Sequence, residues 1–466
     1  MKIKIPSPRT DAGFKIGDTF GRVKLANSFL SLAENIEDDF TIMLDAKWGE
    51  GKTTFLKQFV SHAAEEGFPS IYLNAFEHDI SKDAFSAISG QILALFHENE
   101  PKAEALKTRF LTSAAKLGKF ALRASLRASL AVGTAGILNS KTIEEFETEF
   151  NGAEDVVDSL EDTLDAASAA AVENLIKESA EVQTNLTAVK SALSSVCDFL
   201  TDQPLLKGKN QNRRVFFVVD ELDRCRPDFA IDIMEIIKHF FATERIIFVI
   251  GVDQLEILNS IRKVYGEMID ANRYLEKFYD IRFQFNQVTD SGREDLIGKY
   301  IDYIQTQLGE FASSASMNGC LKVIQIKSTH EGLSFRTVEK IVQKFLLVEA
   351  QLPSRDIAAS PLLAFLCYSS VVDPGAYKKA VVGAYAWDEF HQSYSYLWKK
   401  KNNYEVENYL GCMQAVLSTG NQDSGFSSSA LDWKKIIEQI RPKIGMSLAK
   451  HYSEKYLEVF SLSNSA

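Results

Sequence analysis

Residues 46–54 have the types and spacing that bind a polyphosphate, because they read Ala-Lys-Trp-Gly-Glu-Gly-Lys-Thr-Thr. They follow an apolar, strand-like run (40–44) and precede a helical pattern, so a glycine turn joins a strand to a helix. Unpaired N–H groups and the positive dipole end at the start of such a helix attract phosphate oxygens. We therefore expect a nucleotide to contact Trp48, Gly49, Glu50, Gly51, Lys52, Thr53 and Thr54.

Two side chains of this phosphate loop have defined chemistry. Lys52 would reach the β and γ phosphate oxygens, and the Thr53 hydroxyl would ligate Mg²⁺. Ala46 replaces the usual first glycine of such a loop. If the turn needs a positive φ there, the alanine destabilises the fold by about 1 kcal/mol. The alternative is an ordinary strand–turn–helix in which the lysine has no special role.

An acidic motif follows a later apolar run. Residues 215–219 are continuously apolar and end in Asp-Glu-Leu-Asp-Arg-Cys. Asp220 stands at the carboxyl end of this predicted strand, where a P-loop enzyme keeps the carboxylate that helps to hold Mg²⁺. Glu221 is then placed to orient and deprotonate an attacking water. The alternative is a solvated helix N-terminus, where the dipole favours acidic residues, but the phosphate loop upstream makes this the weaker interpretation.

Five apolar runs must position these residues: 40–44, 70–74, 215–219, 246–252 and 281–285. They alternate with helical patterns, which predicts an α/β fold with a doubly wound parallel sheet. The phosphate loop and the Asp-Glu pair predict the P-loop class that has a catalytic glutamate. We expect this core to comprise residues 16–76 and 212–290, with its ligand at the carboxyl ends of the strands.

Several motifs together resemble the KAP family of P-loop NTPases. They are residues 18–22 before a helix (23–35), the phosphate loop 47–53, and segments 74–77, 220–227, 249–253 and 273–278. The resemblance covers about residues 16–350. It implies nucleotide hydrolysis, with ATP as the nucleotide and Mg²⁺ as the metal. Because the family includes bacterial phage-exclusion and anti-phage defence ATPases, it also implies separately encoded defence effectors as partners.

Other charged residues are candidates for sensing the γ-phosphate. Asp253 follows the fourth strand, where related ATPases keep a polar sensor, and its alternative role is capping the next helix. Arg224, Arg273 and Lys277 are candidates for a finger acting across a subunit interface; the alternative for each is an ordinary surface salt bridge. By analogy with ring ATPases alone, Arg336 is a further candidate for contact with the nucleotide.

The segment 77–211 is longer than one crossover connection needs and predicts a helical insertion. Residues 111–138 form a basic amphipathic pattern, which indicates contact with a membrane surface or nucleic-acid phosphates, or else a solvated helix face. Residues 141–200 predict an acidic helical arm that faces partners or a second copy, with partial disorder as the alternative. We expect no transmembrane span, because a span needs about twenty apolar residues.

Two helical parts follow the sheet. Residues 291–350 have apolar side chains at helical spacing and predict a lid over the nucleotide cleft. Residues 351–466 predict a helical, aromatic-rich region. Its aromatic residues and lysines indicate a core, with a base-stacking platform as the alternative.

The composition of the 466-residue chain predicts a cytoplasmic enzyme. Its formal charge of −11 argues against a wholesale electrostatic nucleic-acid binder, and its five scattered cysteines fit a reducing compartment. The motifs together predict a Mg²⁺-dependent ATPase that acts as a nucleotide-driven conformational or assembly switch. The alternatives are a low-turnover nucleotide-binding scaffold, an NTPase associated with a membrane surface, and a nucleic-acid translocase. The intact Glu221 speaks against the scaffold, which needs no general base.

Overall fold

A five-stranded parallel sheet, with its strands numbered in chain order and arranged β2-β3-β4-β1-β5, forms the centre of the part of the chain up to residue 285. The computed structural model describes residues 10–15, 18–81, 83–94, 104–114, 184–201, 214–285, 290–308, 315–352, 359–400, 404–417, 430, 432–436 and 448–457. The strands are β1 (Phe40–Asp45), β2 (Ser70–Asn74), β3 (Val215–Asp220), β4 (Ile246–Val252) and β5 (Ile281–Gln284). Because β4 lies between β1 and β3, the predicted class of P-loop fold is confirmed.

The register of the three central strands brings their carboxyl ends to one edge. Asp45 at the end of β1 pairs with Val252 of β4, and Val219 of β3 pairs with Ile250 of β4. The loops that follow β1, β3 and β4 therefore leave the sheet side by side. This edge is where open α/β sheets bind their ligands.

The side chains of β3 and β4 are buried along their whole length because helices cover both faces of the sheet. Phe216 and Val218 of β3 point to the layer that contains α1 (Val23–Asn35) and α2 (Lys52–Glu65). The alternate residues of β3 point to the opposite layer. That layer contains the helices Ala84–Leu93, Pro227–Ile236, Gln254–Tyr265 and Ala271–Leu275, and the helical residues 104–114 and 184–201.

The insertion between β2 and β3 packs onto this second layer where the structure describes it. Val189, Leu193 and Val196 of the helical residues 184–201 are buried against the sheet domain. This part of the predicted acidic arm thus lies on the core instead of projecting from it. Residues 115–138 of the predicted basic helix and 141–183 of the arm lie outside the described residues. Of the helices that are described, none is long and apolar enough to cross a membrane.

The helices after β5 share one hydrophobic core that runs from residue 297 to residue 457. It joins the predicted lid to the region that follows, and Phe365, Tyr368, Phe390 and Tyr394 are buried in it. These aromatic side chains are therefore core and not a stacking platform. We call this part the helical region; its helices are Asp290–Leu308, Ala315–His330, Phe335–Glu349, Ser360–Val372, Pro374–Val381, Trp387–Ser393, Tyr404–Leu417 and Leu448–Tyr452.

Candidate active site

The phosphate loop turns on two glycines in the left-handed conformation, Gly49 (φ 83°) and Gly51 (φ 81°). Gly51 is the N-cap of α2, which begins at Lys52. Ala46 needs no glycine, because it has no positive φ and its N–H still donates to the Val252 carbonyl of β4, 3.0 Å away. The sequence departure at Ala46 therefore carries no conformational cost.

Lys52 is held at the centre of the loop by two acceptors. Its Nζ donates to Asp223 Oδ2 at 2.8 Å and to the Ala46 carbonyl at 3.2 Å. An ammonium group has three N–H donors. The third is therefore left for a phosphate oxygen while the side chain stays fixed.

Asp223 joins the loops that follow β1, β3 and β4. Besides Lys52, its Oδ2 accepts hydrogen bonds from the Trp48 indole Nε1 and the Asp253 backbone N–H, both at 2.8 Å. Asp223 was not predicted as a site residue from the sequence. Its position three residues after Asp220, beside the acidic pair, was the available signal.

Asp220 has the surroundings of a fixed metal carboxylate. It is fully buried, and its two oxygens accept hydrogen bonds from the Tyr72 hydroxyl and the Glu221 N–H, each at 2.8 Å. Burial, followed by the Asp220 charge, raises the pKa of Tyr72, so this hydroxyl remains a donor. Each carboxylate oxygen of Asp220 keeps a second lone pair for a ligand.

The oxygen atoms of Thr53 and Asp220 fit Mg²⁺, which prefers hard oxygen ligands. Both residues line one cleft of about 270 Å³. Among the described residues, no three His, Cys, Asp or Glu side chains gather as a metal-binding cluster. A hydroxyl and a carboxylate instead suit an ion whose other ligands are phosphate oxygens and waters.

Glu221 lies in the same cleft with a strained backbone. Its φ of 59° makes it the one non-glycine residue with a positive φ in the described part of the chain. Such a conformation costs on the order of 1 kcal/mol and persists where the surroundings enforce it, often at functional sites. Its Oε1 is paired with Arg224 at 2.8 Å. Arg224 also lines the cleft and here forms the salt bridge that was the alternative to a finger.

This geometry is that of a P-loop nucleotide site, and the model of the KAP family P-loop domain matches residues 24–356. The chain belongs to the KAP family of P-loop NTPases. No curated protein matches it at a significant level. Membership of this family suggests that the KAP-family chain binds and hydrolyses a nucleotide.

Asp253 of this KAP-family protein contacts both the phosphate loop and the helix that follows β4. Its Oδ2 accepts a hydrogen bond from the Trp48 N–H at 3.2 Å, and its Oδ1 accepts one from the Leu255 N–H at 3.3 Å. The second contact is the predicted helix cap. Burial raises the pKa of Asp253, opposed by the Trp48 hydrogen bond and the Lys52 charge. Asp253 is thus tied to the phosphate loop without lining the cleft.

Arg22, which the sequence placed only within a family motif, supports the backbone of the KAP phosphate loop. Its Nη1 and Nη2 donate to the carbonyls of Gly51 (3.1 Å) and Glu50 (2.8 Å). Its guanidinium lies 3.9 Å from the centre of the Phe285 ring and 4.8 Å from that of Phe20. Burial lowers the pKa of Arg22 to about 10, so it is charged at neutral pH. Arg22 also lines the cleft, so it fixes the backbone of the loop beside the site where a phosphate would bind.

The helical region of the KAP protein supplies the far wall of the cleft. Arg336 lines it, as the analogy with lid helices predicted, together with Tyr300, Tyr303, Phe335 and Glu339. Of the predicted loop residues, Glu50 alone does not line the cleft: it is 5 % exposed and lies against the helical region. Arg273 and Lys277 are exposed and lie outside the cleft lining. Their role across an interface stays a prediction.

Proposed function

We propose that this protein is a Mg²⁺-dependent ATPase whose nucleotide state changes the position of its helical region. The observation that carries the proposal is the convergence of Lys52, Thr53, Asp220 and Glu221 on one cleft that the helix Phe335–Glu349 borders. A phosphate loop, a metal carboxylate and a general base are the parts that phosphoanhydride hydrolysis needs.

Each residue has one task in this proposal. Lys52 donates to the β and γ phosphate oxygens, while Thr53 and Asp220 would hold the metal ion, which when bound would neutralise charge on the phosphates. Glu221 orients a water in line with the γ-phosphorus and accepts its proton. To do so, the Glu221 carboxylate has to exchange its contact with Arg224 for one with the water, and Arg224 is then free to approach the γ-phosphate.

ATP as the nucleotide comes from the family resemblance. So does a role in anti-phage defence with separately encoded effectors, on which no contact in the structure bears. It stays a prediction. Homo-oligomerisation and contact with a membrane surface through 111–138 stay predictions as well, since residues 115–138 lie outside the described part.

Steady-state turnover of ATP and GTP by the purified chain, with and without Mg²⁺, tests the proposal. We expect Mg²⁺-dependent ATP hydrolysis that is lost in Lys52→Ala and Glu221→Gln. The Glu221→Gln variant still binds ATP, because it keeps the phosphate loop. Lys263→Ala and Glu267→Gln are matched controls, since both residues are exposed and outside the cleft. Their turnover should equal that of the wild type.

The pairing of Glu221 with Arg224 favours one second candidate, a nucleotide-binding scaffold with little turnover. In that case the wild type would bind ATP but hydrolyse it no faster than Glu221→Gln. Failure of the wild type to bind any nucleotide would contradict both.

A further inference from the structure

A second arginine holds the phosphate loop from the side of the helical region. Arg293 lies near the start of the helix Asp290–Leu308, and its Nη2 is 3.1 Å from Glu50 Oε1. The two side chains are 23 % and 7 % exposed. Such a partly desolvated pair is screened less by solvent and salt than an ion pair on the surface. The Glu50 side chain therefore points away from the cleft and into a contact with another element.

The same guanidinium nitrogen also binds the turn between two helices of the helical region. Arg293 Nη2 donates to the Gly332 and Leu333 carbonyls at 3.2 and 2.9 Å. This turn lies between the helices Ala315–His330 and Phe335–Glu349. It also touches the phosphate loop directly, since a Cβ at Gly49 would lie 2.9 Å from Ser334 Oγ. Arg293 thus connects the loop, its own helix and the turn.

The arrangement leaves hydrogen-bonding capacity unused. Nη2 carries two N–H groups and is shared among three acceptors, whereas the buried Nε of Arg293 has no hydrogen-bond partner among the described residues. A small displacement of Glu50 would allow a bidentate contact through Nε and Nη2, which is the stronger geometry. The strength of the contact would therefore depend on the position of the loop.

We propose that Arg293 is a positioning residue that couples nucleotide binding at the phosphate loop to the placement of the helical region. This inference rests on the proposed function and identifies the contact through which the nucleotide state would change the position of the helical region. Glu50 is the loop residue that forms an ion pair with the helical region, and its backbone lies between the two glycines of the phosphate loop. The helix that carries Arg293 also carries Tyr300 and Tyr303, which line the cleft. A shift of the loop is therefore passed to the opposite wall.

Hydrogen exchange of residues 315–349, with and without saturating ADP, is the first test. In the wild type, ADP raises the protection of this segment. In Arg293→Gln, the segment loses most of this ADP-dependent protection while ADP affinity stays within about threefold, because Arg293 does not line the cleft. Arg293→Lys keeps the positive charge but loses the planar guanidinium that can donate to two acceptors, so it should show part of the ADP-dependent protection of the wild type. The control is Lys299→Gln on the same helix, where an exposed lysine pairs with Asp295.

Kinetics give a second, independent readout. We expect Arg293→Gln to lower kcat about tenfold with little change in KM, since substrate still binds but the cleft wall is misplaced. Glu50→Gln should have a smaller effect in the same direction, because Arg293 keeps its contacts with the Gly332 and Leu333 carbonyls. The double variant should be no worse than Arg293→Gln alone, because the contact with Glu50 is already lost there. Additive losses in the double variant, or unchanged ADP-dependent protection in Arg293→Gln, would overturn the coupling. A wild type that does not bind ADP would instead overturn the proposed function.

Discussion

The ammonium of Lys52 lies 2.8 Å from the Asp223 carboxylate, and this pair is nearly removed from solvent, with side chains 8 % and 1 % exposed. One partner belongs to the phosphate loop after β1 and the other to the acidic motif after β3. The contact fixes the loop lysine across the width of β4, the strand between them. Removing one partner of such a buried pair is strongly destabilising, because the other charge then stays in the interior without water or a counter-ion.

Asp223→Ala should destabilise the protein by about 3–5 kcal/mol, since it leaves the Lys52 ammonium buried without its carboxylate. Asp223→Asn keeps an acceptor for the Trp48 indole and the Asp253 N–H and should lose less. Adding Lys52→Met to Asp223→Ala removes the orphaned charge and should restore part of the stability. Urea unfolding of the wild type, these three variants and Lys52→Met alone measures this. Strictly additive losses would show that the pair has no energetic coupling.

The backbone of Glu221 leads to a prediction that separates stability from activity. Glu221→Gln and Glu221→Gly both lack the general base, and each should lose about 10²-fold or more in turnover. Glycine adopts the observed φ of 59° without strain, whereas glutamine does not. The glycine variant should therefore unfold at a higher urea concentration, with a free energy of unfolding that is larger by roughly 1 kcal/mol. Equal midpoints for the two variants would contradict a strained backbone at this position.

The sheet and both motifs of the site were predictable because their signals are local. Continuous apolar runs marked the strands, and β2 and β4 have the predicted bounds. The supports of the phosphate loop were not predictable. Arg22 binds backbone carbonyls, which every residue offers, and Arg293 lies 243 residues from Glu50 along the chain. Neither composition nor periodicity predicts contacts between residues so far apart in the sequence. For the same reason, the docking of residues 184–201 on the sheet could not be read from their sparse apolar spacing.

Gly49→Ala should disrupt the contact between the phosphate loop and the helical region. The alanine would be strained at φ 83°, and its Cβ would lie 2.9 Å from both Ser334 Oγ and Arg336 Cβ. Gly266→Ala is the matched control, because its φ is 93° and the added methyl group would meet no atom within 4 Å. Both variants pay a backbone strain of about 1–3 kcal/mol, and Gly266 (φ 93°, ψ 159°) lies in a region that is nearly exclusive to glycine. We expect only Gly49→Ala to lose more stability than this, together with most nucleotide binding in a titration with fluorescent ADP. Equal effects of the two variants would mean that the close contact is unimportant.

Lys327 should make stability depend on pH in alkaline solution. Its side chain is 1 % exposed, and its Nζ lies 3.9 Å and 3.8 Å from the ring centres of Tyr368 and Tyr394, with no hydrogen-bond partner among the described residues. Burial lowers the pKa of Lys327 to about 7, against the opposing charges of Glu331 and Asp373. Below this value the amine is protonated in both the folded and the unfolded protein. Between this value and the ordinary lysine pKa, the amine is protonated in the unfolded protein but not in the folded one. The free energy of unfolding therefore rises with pH over this range.

Lys327→Met fills the same space without a charge and should therefore be more stable than the wild type near neutral pH. One proton over two pH units corresponds to about 2.7 kcal/mol, so the advantage of the methionine should shrink by roughly this amount from about pH 7 to about pH 9. Thermal or urea unfolding of both proteins at the two pH values measures it. Lys340→Met, at an exposed position on the helix Phe335–Glu349, is the control and should show no such change. A constant difference between Lys327→Met and the wild type would mean that Lys327 titrates at the same pH in both states, and that the aromatic rings compensate fully for its burial.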